Sequence, residues 1–224
     1  MNTNKTGYFK SRNASLAMRS DRHEMGQREA RTLATMLQAN GDEHFFGNKS
    51  IIDLGCGDQY LRQAFEDRAA FYRGIDIGEC NLETEEFPVE SNKYDFAVCL
   101  ALVEHLRDPG HFLTETHRVL KPGGFIWLST PDIEACGAKF WNDPTHVHPY
   151  TRTSLRMLLQ MHEFTKVRIT PNYRCKSEGW YRETRYAFFR SRYLLPLLGT
   201  SRLPLPEFLK GRCSGLFALA QKPY

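Results

Sequence analysis

Apolar positions recur along this chain in two different periods. Short apolar runs at residues 51–54, 72–77, 94–100, 125–128, 164–169 and 215–221 read as buried strands. Between them the spacing turns helical. Leu61, Ala64, Phe65 and Ala69 predict a helix over 60–70. Phe112, Leu113, Thr116, Val119 and Leu120 predict another, opened by Asp108-Pro109 and closed by Pro122-Gly123-Gly124. Leu155, Leu158 and Leu159 share the inward face of a third, capped by Thr153. Upstream, Ala30, Leu33, Ala34 and Leu37 predict a helix from Asp21 to Ala39, with Asp21 and Glu24 spaced as a capping box and Asn40-Gly41 as its stop. Strands alternating with helices imply right-handed crossovers and a parallel, doubly wound sheet, whose ligands bind beyond the strand C-terminal ends.

The first strand breaks on glycine. Ile51-Ile-Asp-Leu-Gly-Cys-Gly-Asp58 reads as strand, tight turn and helix start, and glycine there lets a ligand approach main-chain N–H groups. Asp76 closes the second strand about 20 residues past the turn, the spacing at which an acidic side chain meets a ribose diol. A dinucleotide wants a third glycine, and Asp58-Gln59-Tyr60-Leu61 supplies none. Asp53 stands just before the turn. A carboxylate there repels a pyrophosphate and suits a ligand carrying an amino group and a sulfonium, as S-adenosylmethionine does.

Five segments, in order, carry that reading further: Asp53-Leu-Gly-Cys-Gly57, Gly74-Ile-Asp76, Tyr94-Asp-Phe-Ala-Val98, Val103-Glu-His-Leu106, and Leu120-Lys-Pro-Gly-Gly124 leading into Phe125-Ile-Trp-Leu. Over residues 48–170 the chain resembles a class I S-adenosylmethionine-dependent methyltransferase of the small-molecule, type 11-like kind. The resemblance implies an α/β, Rossmann-like, doubly wound fold with a mostly parallel seven-stranded sheet, the last strand antiparallel, and helices on both faces. It implies an N-terminal helical cap over 1–48, acting as a lid, and a core over 49–224 with a helical insertion at 172–212. The bland alternative for the first helix is packing on the sheet edge.

The same resemblance implies the cofactor contacts. Asp53 with the backbone of Gly55, Cys56 and Gly57 holds the methionine end, and Asp76 accepts both ribose hydroxyls. Ile77 flanks the adenine, Leu100 offers main-chain contacts, and S-adenosyl-L-homocysteine is the product. Asn81-Leu82 stands where the family has an acidic residue near the adenine, and the Asn81 carbonyl oxygen can accept from the exocyclic amine. The chain departs from the family at Gln59 and Glu163, where glycine is usual; Glu163 implies a slightly different helix exit. It departs again at 78–92, a short passage where a further strand is normal.

Composition bounds the rest. A chain of 224 residues suits one domain with additions, and 41% hydrophobic with 25% charged residues is ordinary for a globular protein. The net charge of +4 is too small to argue for nucleic acid. Six scattered cysteines without a C-x-x-C pair fit a reduced protein better than a disulfide framework. With no secretory h-region and no apolar run of membrane-spanning length, the expected location is cytoplasmic.

The acceptor side is read from residues 131–150, a loop with three prolines past a strand end. Its Asp143-Pro-Thr-His-Val-His-Pro-Tyr150 resembles a pattern of sugar- and polysaccharide-cluster methyltransferases. His146 and His148, two residues apart, are the candidate general bases for a hydroxyl acceptor, the alternative being that they only tie the loop to the sheet. His105 belongs to the family pattern and reads as structural. A metal site from His146, His148 and Asp143 lacks a cysteine pair or H-E-x-x-H spacing, so none is expected. The 172–212 segment mixes arginines with Trp180, Tyr181, Tyr186, Phe188 and Phe189, and reads as a cap, a homodimer interface, a substrate wall, or a membrane-surface contact through 180–210. Together these features lead to O-methylation of a small polar or saccharide-type acceptor. The alternatives are N- or C-methylation of a small metabolite, or a non-catalytic cofactor-binding subunit that holds a partner.

Overall fold

The structure, a computed structural model, describes residues 7, 21–38, 44–173 and 213–224. In chain order it contains α1 (Arg22–Met36), β1 (Ser50–Leu54), α2 (Arg62–Glu66), β2 (Phe71–Ile75), β3 (Tyr94–Leu100), α3 (Pro109–Val119), β4 (Leu120–Pro131), α4 (Ile133–Cys136), α5 (Arg152–Met161), β5 (Thr165–Tyr173) and β6 (Cys213–Gln221). Short 3-10 turns lie at Val103–His105 and Gly137–Asn142. The sheet runs β2-β1-β3-β4-β6-β5, with β6 antiparallel to both its neighbours and the β2-β1-β3-β4 pairs parallel. Most of the expected 172–212 insertion lies outside the described residues, although Asn172 and Tyr173 belong to β5.

Strand alternation divides the core into two layers. Ile52, Leu54, Ala97, Cys99, Ile126, Leu128 and Ala218 face one side, against α3 and α5 residues such as Phe112, Leu113, Leu155 and Leu159. Ile51, Phe96, Val98, Trp127, Phe217 and Leu219 face the other, against Ala30, Leu33 and Met36 of α1 and Ala64 and Phe65 of α2. The N-terminal helix therefore packs across a sheet face, not along its edge. Among the described residues, no helix is long and apolar enough to cross a membrane.

Six strands replace the expected seven among the described residues, and the missing one falls in the short 78–92 passage. At Phe87 and Val89 its backbone is bonded by α3 side chains instead of by a strand partner. Glu115 accepts from the Phe87 N–H at 2.8 Å, while Arg118 donates to the carbonyls of Phe87 (3.0 Å) and Val89 (3.1 Å). Arg118 is held to the same Glu115 through Nε and Nη2 at 2.9 and 2.7 Å. Cys80, Leu82 and Phe87 are buried by this arrangement without any ladder.

Local chemistry corrects several expected boundaries. Asp21 makes no side-chain capping bond. The second helix is confined to Arg62–Glu66, because Ala69 takes a left-handed φ of 56° and its carbonyl accepts from the Asn48 N–H. Pro122-Gly-Gly124 does not end α3: the strand starts at Leu120, and residues 121–124 bulge out where β3 positions 94 and 96 pair with 120 and 125. Thr151, not Thr153, caps α5 in a reciprocal box with Ser154. Glu163 keeps a left-handed turn (φ 64°) before β5.

Glu115→Ala leaves the buried Phe87 N–H without its acceptor and Arg118 without its close carboxylate partner. The expected loss is roughly 2–4 kcal/mol of stability in denaturant titration, with faster amide exchange over residues 80–91 than over β3.

Candidate functional site

The C-terminal ends of β1, β2 and β3 meet at one sheet edge, and the glycine turn sits there. Gly55 (φ 77°) donates to Ile75 O at 2.8 Å, and a side chain at that position would be strained and press on Leu102. Gly57, also left-handed at φ 55°, turns its N–H onto the Asp76 carboxylate at 2.5 Å. The other Asp76 oxygen accepts from Ile77 N at 2.6 Å. Asp76 thus bridges the turn to its own strand end. An ionised carboxylate has about four acceptor positions, so two remain for a diol.

Asp53 is buried (3% exposed) and accepts a hydrogen bond from Tyr72 Oη at 2.5 Å. Burial pushes its carboxyl up to about 7; the Tyr72 bond opposes that, while Asp76 and Asp58 reinforce it. Cys56 is buried as well, and burial with the neighbouring Asp53 and Asp76 pushes its thiol up to about 12, so it supplies backbone and not a thiolate. Asp58 is paired with Arg22 of α1 (Nε to Oδ2 at 2.7 Å), whose guanidinium lies 4.0 Å over the Tyr60 ring. Gly26 of α1 passes so close to the Tyr60 carbonyl that a methyl group there would collide with it.

The remaining expected cofactor residues have different surroundings. Ile77 is exposed, Leu82 is buried in the core, and Leu100 is half-buried at the end of β3. Asn81 begins a tight turn in which its Oδ1 accepts from Glu83 N at 3.1 Å. Glu83 in turn accepts from Arg107 N at 2.6 Å and Asp108 N at 3.0 Å, fastening the turn to the start of α3.

The 143–150 loop is tied to the segment after β3 by backbone bonds: Val147 N and His148 N both donate to Glu104 O, at 2.9 and 3.0 Å. The two loop histidines then have different surroundings. His146 packs against Phe140 and His105, ring centroids 4.6 and 4.8 Å away, and its Nδ1 lies 2.8 Å from Phe140 O. His148 stacks on Tyr150 at 5.0 Å with ring planes 9° apart. Sequence reading missed Tyr72 as the Asp53 donor, and it missed the meeting of Glu104 and His105 with His146. The first had a signal in strand alternation, which sets Tyr72 opposite Ile51 and so on the same face as Asp53; the second joins segments 40 residues apart and had none.

A parallel sheet with one reversed strand, a glycine turn at a β1 end and an acid at the β2 end define the class I methyltransferase architecture. The chain matches the methyltransferase-domain family over residues 21–169. It is 31% identical over 112 residues to the ubiquinone biosynthesis O-methyltransferase of Acinetobacter baylyi, covering 40% of this chain and 47% of that protein. The chain thus spans about half the length of that curated relative. Among solved structures it is similar to a SAM-dependent methyltransferase from Archaeoglobus fulgidus (TM-score 0.58, 19% identity, covering 86% of this chain and 94% of that one). It is similar also to a Haemonchus contortus phosphoethanolamine N-methyltransferase 2 in complex with S-adenosylhomocysteine (TM-score 0.54, 14% identity, 86% and 52%). The chain belongs to the methyltransferase-domain family, as a class I S-adenosylmethionine-dependent member.

With Asp53 as the proposed contact of the donor's methionine end, donor binding acquires a pH signature. In the unfolded chain it titrates near 3.8 and in the ligand-free fold near 7, so its contribution to stability is present at low pH and is lost as pH rises through about 7. A cationic donor favours the carboxylate, so its binding displaces the proton. Calorimetry should show S-adenosylmethionine binding up to about tenfold weaker at pH ~6 than at pH ~8. Asp53→Asn should bind weakly with no such slope; a pH-independent wild type would remove Asp53 from the donor contacts.

Proposed function

We propose that the protein transfers the methyl group of S-adenosylmethionine to a hydroxyl of a small polar or saccharide-type acceptor. The observation that carries this reading is the hydrogen-bonding of the histidine-bearing loop onto Glu104, four residues past the end of β3 in the segment whose Leu102 lies against Gly55 of the donor turn. Asp53 and the Gly55–Gly57 backbone hold the methionine end, Asp76 holds the ribose, and Ile77, Asn81 and Leu82 border the adenine. Leu100 contributes main-chain contacts. Helix α1, braced by Arg22 on Asp58, forms a lid over one wall of this pocket.

Methyl transfer from a sulfonium is an in-line displacement whose donor is already activated, so placement in a dry pocket supplies much of the rate. A hydroxyl is a poor nucleophile and gains from deprotonation, which falls to His146 and His148 in the loop. The relative named as an O-methyltransferase supports an oxygen acceptor.

The test is full-length protein with methyl-labelled donor and a cell-extract acceptor pool. Label should appear in an O-methyl product with equimolar S-adenosylhomocysteine. Asp76→Ala should abolish donor binding. His146→Ala and His148→Ala should leave donor affinity within about twofold and lower turnover by about 10²–10⁴ where the residue acts as base. Label on nitrogen or carbon would overturn the oxygen assignment, and tight donor binding without turnover in any pool would leave a cofactor-binding subunit.

A further inference from the structure

Resting on that reading, we propose that the Tyr72 hydroxyl is a positioning group for the methyl donor: it holds the Asp53 carboxylate toward the donor's ammonium group without neutralising it. The bond is short and enclosed. Tyr72 Oη donates to Asp53 Oδ2 at 2.5 Å, and both residues are buried. Tyr72 pairs with Ile51 between β2 and β1, so its side chain shares the Asp53 face of the sheet. One carboxylate oxygen is thereby fixed, and Oδ1 remains as the acceptor for a ligand.

The Tyr72 ring is held by its neighbours and does not need the hydroxyl to stay in place. Phe65 of α2 stacks on it at 6.4 Å, with ring planes 21° apart. The Arg62 guanidinium covers it at 5.1 Å. A phenylalanine would fill the same space. The oxygen therefore serves Asp53 and not the core.

The charges around the pair give that task to a neutral donor. Burial disfavours ionisation of Asp53, and Asp76 and Asp58 add to that. Arg22 is committed to Asp58, and Arg62 to Gln59 and Glu66. Cys56, Cys99 and Tyr60, which also interact with Asp53, are pushed up by burial and stay uncharged. A lysine or arginine at position 72 would cancel the carboxylate and repel an ammonium. A phenol whose own ionisation is pushed up by burial only donates. It favours the carboxylate form and leaves the charge to the ligand. The ligand class selected is an adenosyl thioether or sulfonium that carries an amino-acid end, against one that lacks it.

The probes are S-adenosylhomocysteine, which carries the ammonium, and 5′-methylthioadenosine, which has the same adenosine and a thioether but no amino-acid end. Both are titrated calorimetrically into full-length protein between pH ~6 and pH ~8.5. In the wild type the first should tighten with pH and the second should not. Tyr72→Phe should bind S-adenosylhomocysteine roughly fivefold more weakly at pH ~7 and displace its pH dependence upward by about one pH unit, the worth of one hydrogen bond to a charged group. Affinity for 5′-methylthioadenosine should stay unchanged, since the adenosine contacts, Asp76 included, are common to both ligands. In an Asp53→Asn background the same change should add nothing, as expected of a residue that acts through another. Equal weakening of both ligands, or an unmoved pH dependence, overturns the role. If Tyr72→Phe does not fold, ¹³C NMR of the tyrosine rings in the wild type decides. One Cζ signal should move over the pH range in which S-adenosylhomocysteine affinity changes, and the absence of such a signal overturns the role. Wild-type protein that binds neither ligand refutes the donor pocket and this role with it; binding of both, unaffected by Tyr72→Phe, refutes the role of Tyr72 alone.

Discussion

Two carboxylates brought together at a sheet edge are the constraint around which this molecule is arranged. Asp53 sits at 3% exposure and draws its hydrogen bond from the neutral Tyr72 hydroxyl, not from a cation. Asp76, on the neighbouring strand, adds its charge to the same region. Burying negative charge this way is unfavourable until a cation arrives, and the raised Asp53 pKa expresses that cost. Arg22 does not relieve it, because its guanidinium is committed to Asp58. The pocket thus holds an electrostatic requirement that an amino group or a sulfonium meets and a pyrophosphate does not.

The parts of this arrangement that were legible in the sequence are those fixed by local pattern. Strand β3 was read to the residue, and the glycine turn with Asp76 followed from spacing. Boundaries set by one hydrogen bond were not legible, because the competing local choices differ little in intrinsic preference. Thr151 and Thr153 are equally good caps by type, and Ser154 decides between them. The Pro122-Gly-Gly124 stop was misplaced because the bulge depends on β3 as partner, a long-range fact. The lack of a strand at 78–92 is similar: Glu115 and Arg118 bond the Phe87 and Val89 backbone from a helix that lies later in the chain.

The candidate site divides the same way. Its donor half comes from residues 53–77, two strands and the turn between them, and a short pattern describes it. Its acceptor half joins the turn after β3 to a loop 40 residues later, through Val147 N, His148 N and the Thr145 bonds to His105. Nothing local in Val103-Glu-His-Leu106 distinguishes a structural histidine from one facing a reactive loop. Three-dimensional pairing alone gave His105 its neighbour.

That division bears on how the chemistry must be shared. On the proposed reading, Asp53 and Asp76 stabilise a positively charged donor in its ground state, and the sulfonium charge fades as the methyl group leaves. Interactions strongest before the transition state favour binding without accelerating the transfer. Rate enhancement therefore has to come from in-line placement and from raising the nucleophilicity of the acceptor. Both tasks belong to the acceptor half. This chain is similar in sequence to a protein named for oxygen methylation and in fold to one named for nitrogen methylation. On the proposed reading, the histidine-bearing loop and the turn it grips, not the glycine turn, decide which atom is methylated.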